Sequence, residues 1–404
     1  MCEKLLKPIP MRNTHKTIRQ LALAAVLSTF TLQSMAQDDA ASIVKGGVDD
    51  ANKLGNAYLS PLLKSFGAGL NGGWFNTAKP HGIGGFDITI SANTPFAPSS
   101  DQTYDVSQLG LQKIRPTGPN TVSPTFFGKD KEGPEVGIFA KSPATNQDTM
   151  ISRFNLPQGI GAHFIPVPTI QFNVGVGFGT EVAVRFFPTI TMGPATVGLF
   201  GFALKHDIKQ WIPGVKTMPF DMSVMFGYTS VKSSFKMDAL QNPGSDSVTY
   251  NPNPTADYAS TQKLELNSSG WTTNLLISKK LGPITPYLGV GYQTSNSTLK
   301  MSGDYAIADI NPTFDPTKGY YKDPNTGIVN PNYNANNQNS HPMVVKTISD
   351  PVSIEEKNSG FRTTLGVRIK LAVITIHGDY TFANYNVASV GVGLNLQSIV
   401  PFKL

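Results

Sequence analysis

Residues 361–371 read F-R-T-T-L-G-V-R-I-K-L, with a period of two throughout. Phe361, Thr363, Leu365, Val367, Ile369 and Leu371 are apolar or threonine. Arg362, Thr364, Gly366, Arg368 and Lys370 fill the positions between. That period belongs to a β-strand whose two faces meet different surroundings. In a soluble sandwich the apolar face would be core and the cationic face water. In a membrane barrel the apolar face would be lipid and the cationic face a polar lumen.

The N-terminal region favours the membrane reading. Lys4, Lys7, Arg12, Lys16 and Arg19 precede an apolar run of 12 residues, 21–32, and Ser34-Met35-Ala36 offers small residues for a signal peptidase. This is the pattern of a secretory signal over 1–36, with Met11 an alternative start. The run is too short to span a bilayer as a helix. Five Lys/Arg and one acidic residue lie in 1–36, so the net charge falls from +6 to +2 on their removal, and nucleic acid is not an expected partner. Cys2 leaves with the signal, which excludes disulfides, thiolate chemistry and a lipoprotein acceptor cysteine at the signal's end. Charged residues make up 15% of the chain, against roughly 25% in average proteins. No segment after the signal supplies the ~20 apolar residues of a spanning helix. These features together fit an outer-membrane β-barrel, which hides its hydrophobicity in alternation.

Residues 38–73 depart from that pattern. Val44, Val48, Ala51, Leu54, Tyr58, Leu62 and Phe66 recur at helical spacing. Ser60-Pro61 is expected to divide the segment into two helices, and Gly67, Gly69, Gly72 and Gly73 to end it. A plug inside the lumen and a periplasmic helix both fit. Alternation begins at Phe86 and is strong from Ile170 onward. It reads as nine strands from there, one at 82–93, and two weak ones at 104–111 and 135–141. The expectation is an all-β, antiparallel transmembrane barrel of about 12 strands (10–14 allowed) over 79–404, after a helical segment in 37–78. Placing the C-terminal end in the periplasm leaves short turns near 281–284 and 371–373 on that side and long loops at 241–262 and 304–345 outside. The connector 205–217, with Trp211, suits a periplasmic interface. The Asn-rich stretch 331–340 is expected to be mobile.

Catalysis finds little support. His81, His163, His206, His341 and His377 form no H-E-x-x-H pair, and there is no P-loop, so neither metal nor cofactor is expected. His377 and Asp379 share one strand face and could join a serine as a hydrolase, but a polar lumen lined by solvated groups explains them as well. The inward charges Glu181, Arg185, Asp221, Arg362, Arg368, Lys370, His377 and Asp379 are the lumen-lining candidates. They would either pair across strands or line a pore. Gly175, Gly177, Gly289, Gly291, Gly391 and Gly393 occur as i, i+2 pairs on the same face, where they would admit a plug, widen the bore or relieve curvature.

The stretches 177–186 (GFGTEVAVRF) and 205–214 (KHDIKQWIPG) resemble an uncharacterised outer-membrane barrel family of Bacteroidetes-type bacteria. The resemblance implies the barrel fold and an outer-membrane location, but no activity. The N-terminal helix leading into Gly69–Gly73 is more loosely similar to outer-membrane fatty-acid transporters, in architecture only. Three functions follow as expectations. The first is a non-enzymatic channel or transporter for a small, hydrophobic molecule, suggested by residues 194–205, which are apolar on both faces. The second is docking of surface or periplasmic proteins, such as secretion machinery, through the long loops. The third is lipid hydrolysis. Outer-membrane lipids are the expected surroundings in each.

Overall fold

The period-two segments form ten strands: β1 (Phe86–Phe96), β2 (Val167–Gly177), β3 (Thr180–Met192), β4 (Ala195–Asp207), β5 (Asp221–Lys236), β6 (Lys263–Ser278), β7 (Ile284–Ser302), β8 (Val352–Leu371), β9 (Ile374–Phe382) and β10 (Asn386–Asn395). The computed structural model describes residues 47–141, 147–237, 249–315, 317–319 and 330–396. The expected signal peptide and Val44 lie outside them. Each strand pairs antiparallel with its neighbour in sequence, and β1 pairs with β10, closing an up-and-down barrel. Closure removes the free sheet edge that a membrane would not tolerate.

The barrel has ten strands, not twelve. Of the two weak segments, Thr103–Asp105 pairs with Val122–Pro124, and Glu135–Lys141 pairs with Ile114–Pro116 and Asp148–Asn155. Strands of three and seven residues fall short of the roughly 9–11 needed to cross a bilayer. They belong instead to the connection between β1 and β2.

The outward side chains are apolar and uncovered: Ile90, Phe186, Leu365 and Val390 are 52–63% exposed. A closed sheet with such an exterior is a membrane barrel, its outer face covered by lipid. No helix among the described residues is long and apolar enough to cross a membrane. One end of the barrel carries the turns 178–179, 279–283 and 372–373 and the connector 208–220. The other carries the long segments 97–166, 237–262 and 303–351 together with the short turns 193–194 and 383–385. Short turns mark the periplasmic side and long loops the outside.

The interior is filled. Helix α1 (Val48–Leu70) runs unbroken through Pro61, where two helices were expected. Proline removes one helical hydrogen bond, but here it is buried with its neighbours on the same turn. Asp49 and Asp50 favour the N-terminal end of the helix dipole. Asp50 also accepts backbone N–H bonds from Gln112, Lys113 and Ile114 (2.7–2.9 Å), so this end of α1 lies among the outer segments. Further along, Ser297 donates to the Leu63 carbonyl. At Gly67 an added Cβ would sit 2.3 Å from Ser295 Oγ, so only glycine allows the helix to approach β7 this closely. After Leu70 the chain descends irregularly. The Gly84 N–H reaches the Gly175 carbonyl at the periplasmic end of β2, and β1 then turns back upward. The helix therefore enters the lumen from the outer side.

The outer segments fold over the barrel mouth. Val106, Ile114, Val136, Ile138 and Leu156 from 97–166 pack with Tyr305 and Ile307 from 303–351 and with Ala51, Leu54 and Leu63 of α1 in one core. The Asn-rich stretch forms local turns. Asn330, Asn334 and Asn337 each accept the backbone N–H two residues on, forming consecutive Asx turns. His341 is buried beneath them, bonded to the Tyr333 hydroxyl at 3.1 Å.

Candidate functional site: the latched lumen

Inside the barrel, alternation sends Ser91 and Asn93 of β1, Thr229 of β5 and Ser297 of β7 toward α1, and all are at most 4% exposed. The polar inward face is thus packed rather than bathed. Two arginines grip the C-terminal end of α1. Arg185 on β3, fully buried, donates to the carbonyls of Leu70 (3.0 Å) and Gly72 (2.8 Å) and to Gln171 Oε1 (2.9 Å). Its guanidinium lies 3.7 Å from the centre of the Trp74 ring. Arg362 on β8 donates to the Asn71 carbonyl (2.7 Å) and to Gln293 Oε1 (3.2 Å). Helix carbonyls that lack intrahelical partners carry partial negative charge, and guanidinium groups complement it.

Below this clamp, Trp74, Phe75 and Ala78 pack against Ala183, Ala203, Met225, Leu276 and Tyr287. Lower still is an ionic latch. Glu181 on β3 accepts from Lys205 Nζ (2.8 Å) and meets His81 Nδ1 (2.7 Å). His81 Nε2 lies 3.1 Å from Asp87 Oδ2, and Asn173 donates to Asp87 Oδ1 at 2.6 Å. All four side chains are about 95% buried. A buried charge is tolerable only when paired and hydrogen-bonded, and removing one partner from such a pair costs about 3–5 kcal/mol. The segment 71–85 is therefore fixed to the wall at both ends.

A family model matches residues 13–396, almost the whole chain. The chain belongs to the family of unknown function DUF6588. No curated protein matches it. Among solved structures, the attachment invasion locus protein Ail of Yersinia pestis is 6% identical, covering 78% of this chain and 97% of its own, with a TM-score of 0.23. The translocator domain of the autotransporter NalP from Neisseria meningitidis is 11% identical over 86% and 97%, with a TM-score of 0.25. The outer membrane transporter YddB from Escherichia coli is 10% identical over 76% and 41%, with a TM-score of 0.27. Such likeness is one of barrel to barrel and carries no function. This DUF6588 protein is a bacterial outer-membrane barrel on the strength of its closed sheet and apolar exterior.

The eight inward charges named from the sequence all lie on inward-facing positions, but in different settings. Glu181, Arg185, Arg362, Arg368 and His377 are buried in the lumen. Asp221 is the first residue of β5, half-buried at the periplasmic rim. Lys370, also half-buried, donates to Asn395 Oδ1 at 2.7 Å. Arg185 and Arg362 do not pair with charges across strands but bind main-chain carbonyls. Asp379 accepts from the Tyr287 hydroxyl at 2.9 Å. Neither ring nitrogen of His377 has a hydrogen-bond partner among the described residues, so His377 and Asp379 do not assemble into a hydrolase constellation. Among the described residues, no group of three or more His, Cys, Asp or Glu is placed to hold a metal ion.

The six glycines divide. A Cβ at Gly175 would strike the His81 and Gly82 backbone, one at Gly177 the Ile83 side chain, and one at Gly289 the Phe75 ring. Those at Gly291, Gly391 and Gly393 would meet neighbouring strands of the wall. Sequence reasoning missed His81, Asp87, Trp74 and Lys205. A cue existed for the last: Lys205 is the cross-strand partner of Glu181, an opposite-charge pair on one face.

Proposed function

We propose that this protein is a closed, self-plugged outer-membrane barrel that acts at the cell surface, its outer cap serving as a docking site for a protein partner. One observation carries this reading: the outer half of α1 is part of the cap's own core. Ala51, Leu54 and Leu63 pack with Ile114, Ile138, Leu156, Tyr305 and Ile354. Fully burying a Leu or Ile is worth about 1.5–3 kcal/mol. Withdrawing the helix would forfeit several such terms together with the arginine clamp and the ionic latch. A plug that also supports the cap is costly to move, and a fixed plug leaves the cap as the working surface.

A second reading is gated passage of a small molecule. The lower half of the helix favours it, because Ser65, Gly67, Ala68 and Gly69 are small and buried, as a sliding surface would require. The inward apolar residues of β4, Val197 and Leu199, pack against a cluster containing Leu70 of α1.

The two readings separate with a reversible lock. An added Cβ at Gly69 would lie 3.1 Å from that of Val167, a few tenths of an ångström short of the ~3.5 Å lower end of disulfide geometry. The double variant Gly69→Cys/Val167→Cys in liposomes and planar bilayers should show no solute flux or conductance, oxidised or reduced. Partners crosslinked on intact cells should survive oxidation and be lost when 311–341 is replaced by a Gly-Ser linker. Flux that appears only on reduction would establish the gated reading instead.

A further inference from the structure

The inward cations are not equivalent. Arg185 and Arg362 hold carbonyls of the plug segment, Lys205 holds Glu181, and Lys370 holds Asn395. Arg368 on β8 is 9% exposed, and its Nε is buried with no hydrogen-bond partner among the described residues. Its cross-strand partner on β9 is His377, which is 3% exposed and equally without a hydrogen-bond partner among the described residues. The His377 ring is seated over Gly391, where an added Cβ would lie 2.2 Å from its Cε1. A glycine named from the sequence thus makes room for this imidazole rather than for the plug.

The nearest carboxylates are committed elsewhere. Asp87 and Glu181 both interact electrostatically with Arg368. However, the two oxygens of Asp87 are taken by Asn173 and His81, and those of Glu181 by Lys205 and His81. Asp379, two residues from His377 on the same face, is held by Tyr287. A buried donor nitrogen of a charged group left without a partner is costly. A second donor group left open beside it repeats the problem. Arg368 lies three residues from the periplasmic end of β8, with Lys370 between it and the rim on the same face.

We infer that Arg368 and His377 form an anion-binding site at the periplasmic mouth of the lumen, taking the carboxylate or phosphate group of a small molecule. The planar guanidinium fork matches two oxygens of either group. His377 supplies a further donor, and Lys370 draws the anion in from the rim. Asp87, Glu181 and Asp379 restrict the site to a small anion, since a larger charge would face their repulsion. The site lies toward the end of the barrel opposite the outer cap.

The test uses the full-length protein in detergent micelles, titrated calorimetrically with inorganic phosphate and, separately, with acetate at constant ionic strength. At least one anion should bind saturably and raise the thermal midpoint. Arg368→Gln should weaken that binding at least tenfold, His377→Gln should weaken it by less, and Lys263→Gln on the outer side should leave it unchanged. Binding of phosphate alone identifies a phosphoryl ligand, and binding of acetate alone a carboxylate. Because the Arg368 Nε has no partner to lose, Arg368→Gln should keep the wild-type midpoint in the absence of anion. Failure of both anions to bind overturns the inference. So does wild-type affinity in Arg368→Gln, or failure of that variant to fold, which would show that Arg368 has a structural partner.

Discussion

Replacing Arg185 with methionine tests the clamp on the plug most sharply. The side chain keeps much of its volume but loses all its donors. The Leu70 carbonyl still receives the Thr229 hydroxyl at 3.3 Å, whereas the Gly72 carbonyl and Gln171 Oε1 lose their Arg185 donors. Each orphaned buried acceptor costs about 1–3 kcal/mol. Loss of the contact with Trp74 adds about 2 kcal/mol for a desolvated cation–π pair. Relief from burying a guanidinium returns part of this, leaving a net destabilisation of about 3–5 kcal/mol, the range found when one partner of a buried charged contact is removed. The assay is guanidinium unfolding of the refolded protein in phospholipid vesicles, followed by tryptophan fluorescence. Of the three tryptophans, Trp74 lies directly against Arg185 and reports on the plug. Limited proteolysis of segment 71–85 gives an independent readout. A change below about 1 kcal/mol, or equal damage from Arg368→Gln, would refute the reasoning, because Arg185 and Arg368 differ chiefly in having partners.

Two further outcomes follow from the geometry. Gly67→Val should block docking of α1 against β7 and lower stability by several kcal/mol in the same assay, with partial rescue by Ser295→Gly, which removes the atoms that the new side chain meets at 2.3 and 2.7 Å. In the outer cap, burial pushes Tyr104 up to about 12 from its ordinary 10. A phenol whose folded value is raised keeps its full contribution below pH 10 and loses it as pH rises toward 12. Cap stability should therefore fall over that window in the wild type and less in Tyr104→Phe, as monitored by proteolysis of 97–166.

The barrel was readable because alternation is a local property. Phe361–Leu371 alternates in sequence and sits in β8 with its apolar residues outward. The strand number was not readable at 104–111 and 135–141, because pairing is not local. Residues 135–141 make a true strand, but its partners are 114–116 and 148–155, and only its seven-residue length hinted that it could not cross a membrane. The lumen was legible as a list of inward charges but not as a set of contacts. The expectation that mixed signs pair across strands failed at Arg185 and Arg362 because the helix supplied carbonyls that no strand pattern contains. The glycines carried the plug's signature only in part: Gly289 faces Phe75, while Gly391 faces His377. The Asx turns of the Asn-rich loop were not legible in its composition, because they depend on the spacing of the asparagines.

Helix α1 enters the barrel from outside, so its first turn lies on the opposite side of the membrane from the turn 279–283. The chain's single cysteine, Cys2, precedes the expected cleavage site, so one introduced thiol can report on each end. Asp49 and Lys280 are both exposed. Asp49→Cys should react with a membrane-impermeant maleimide on intact cells, and Lys280→Cys only after the outer membrane is permeabilised. Labelling of Lys280→Cys on intact cells, or of Asp49→Cys only after permeabilisation, would contradict the threaded plug.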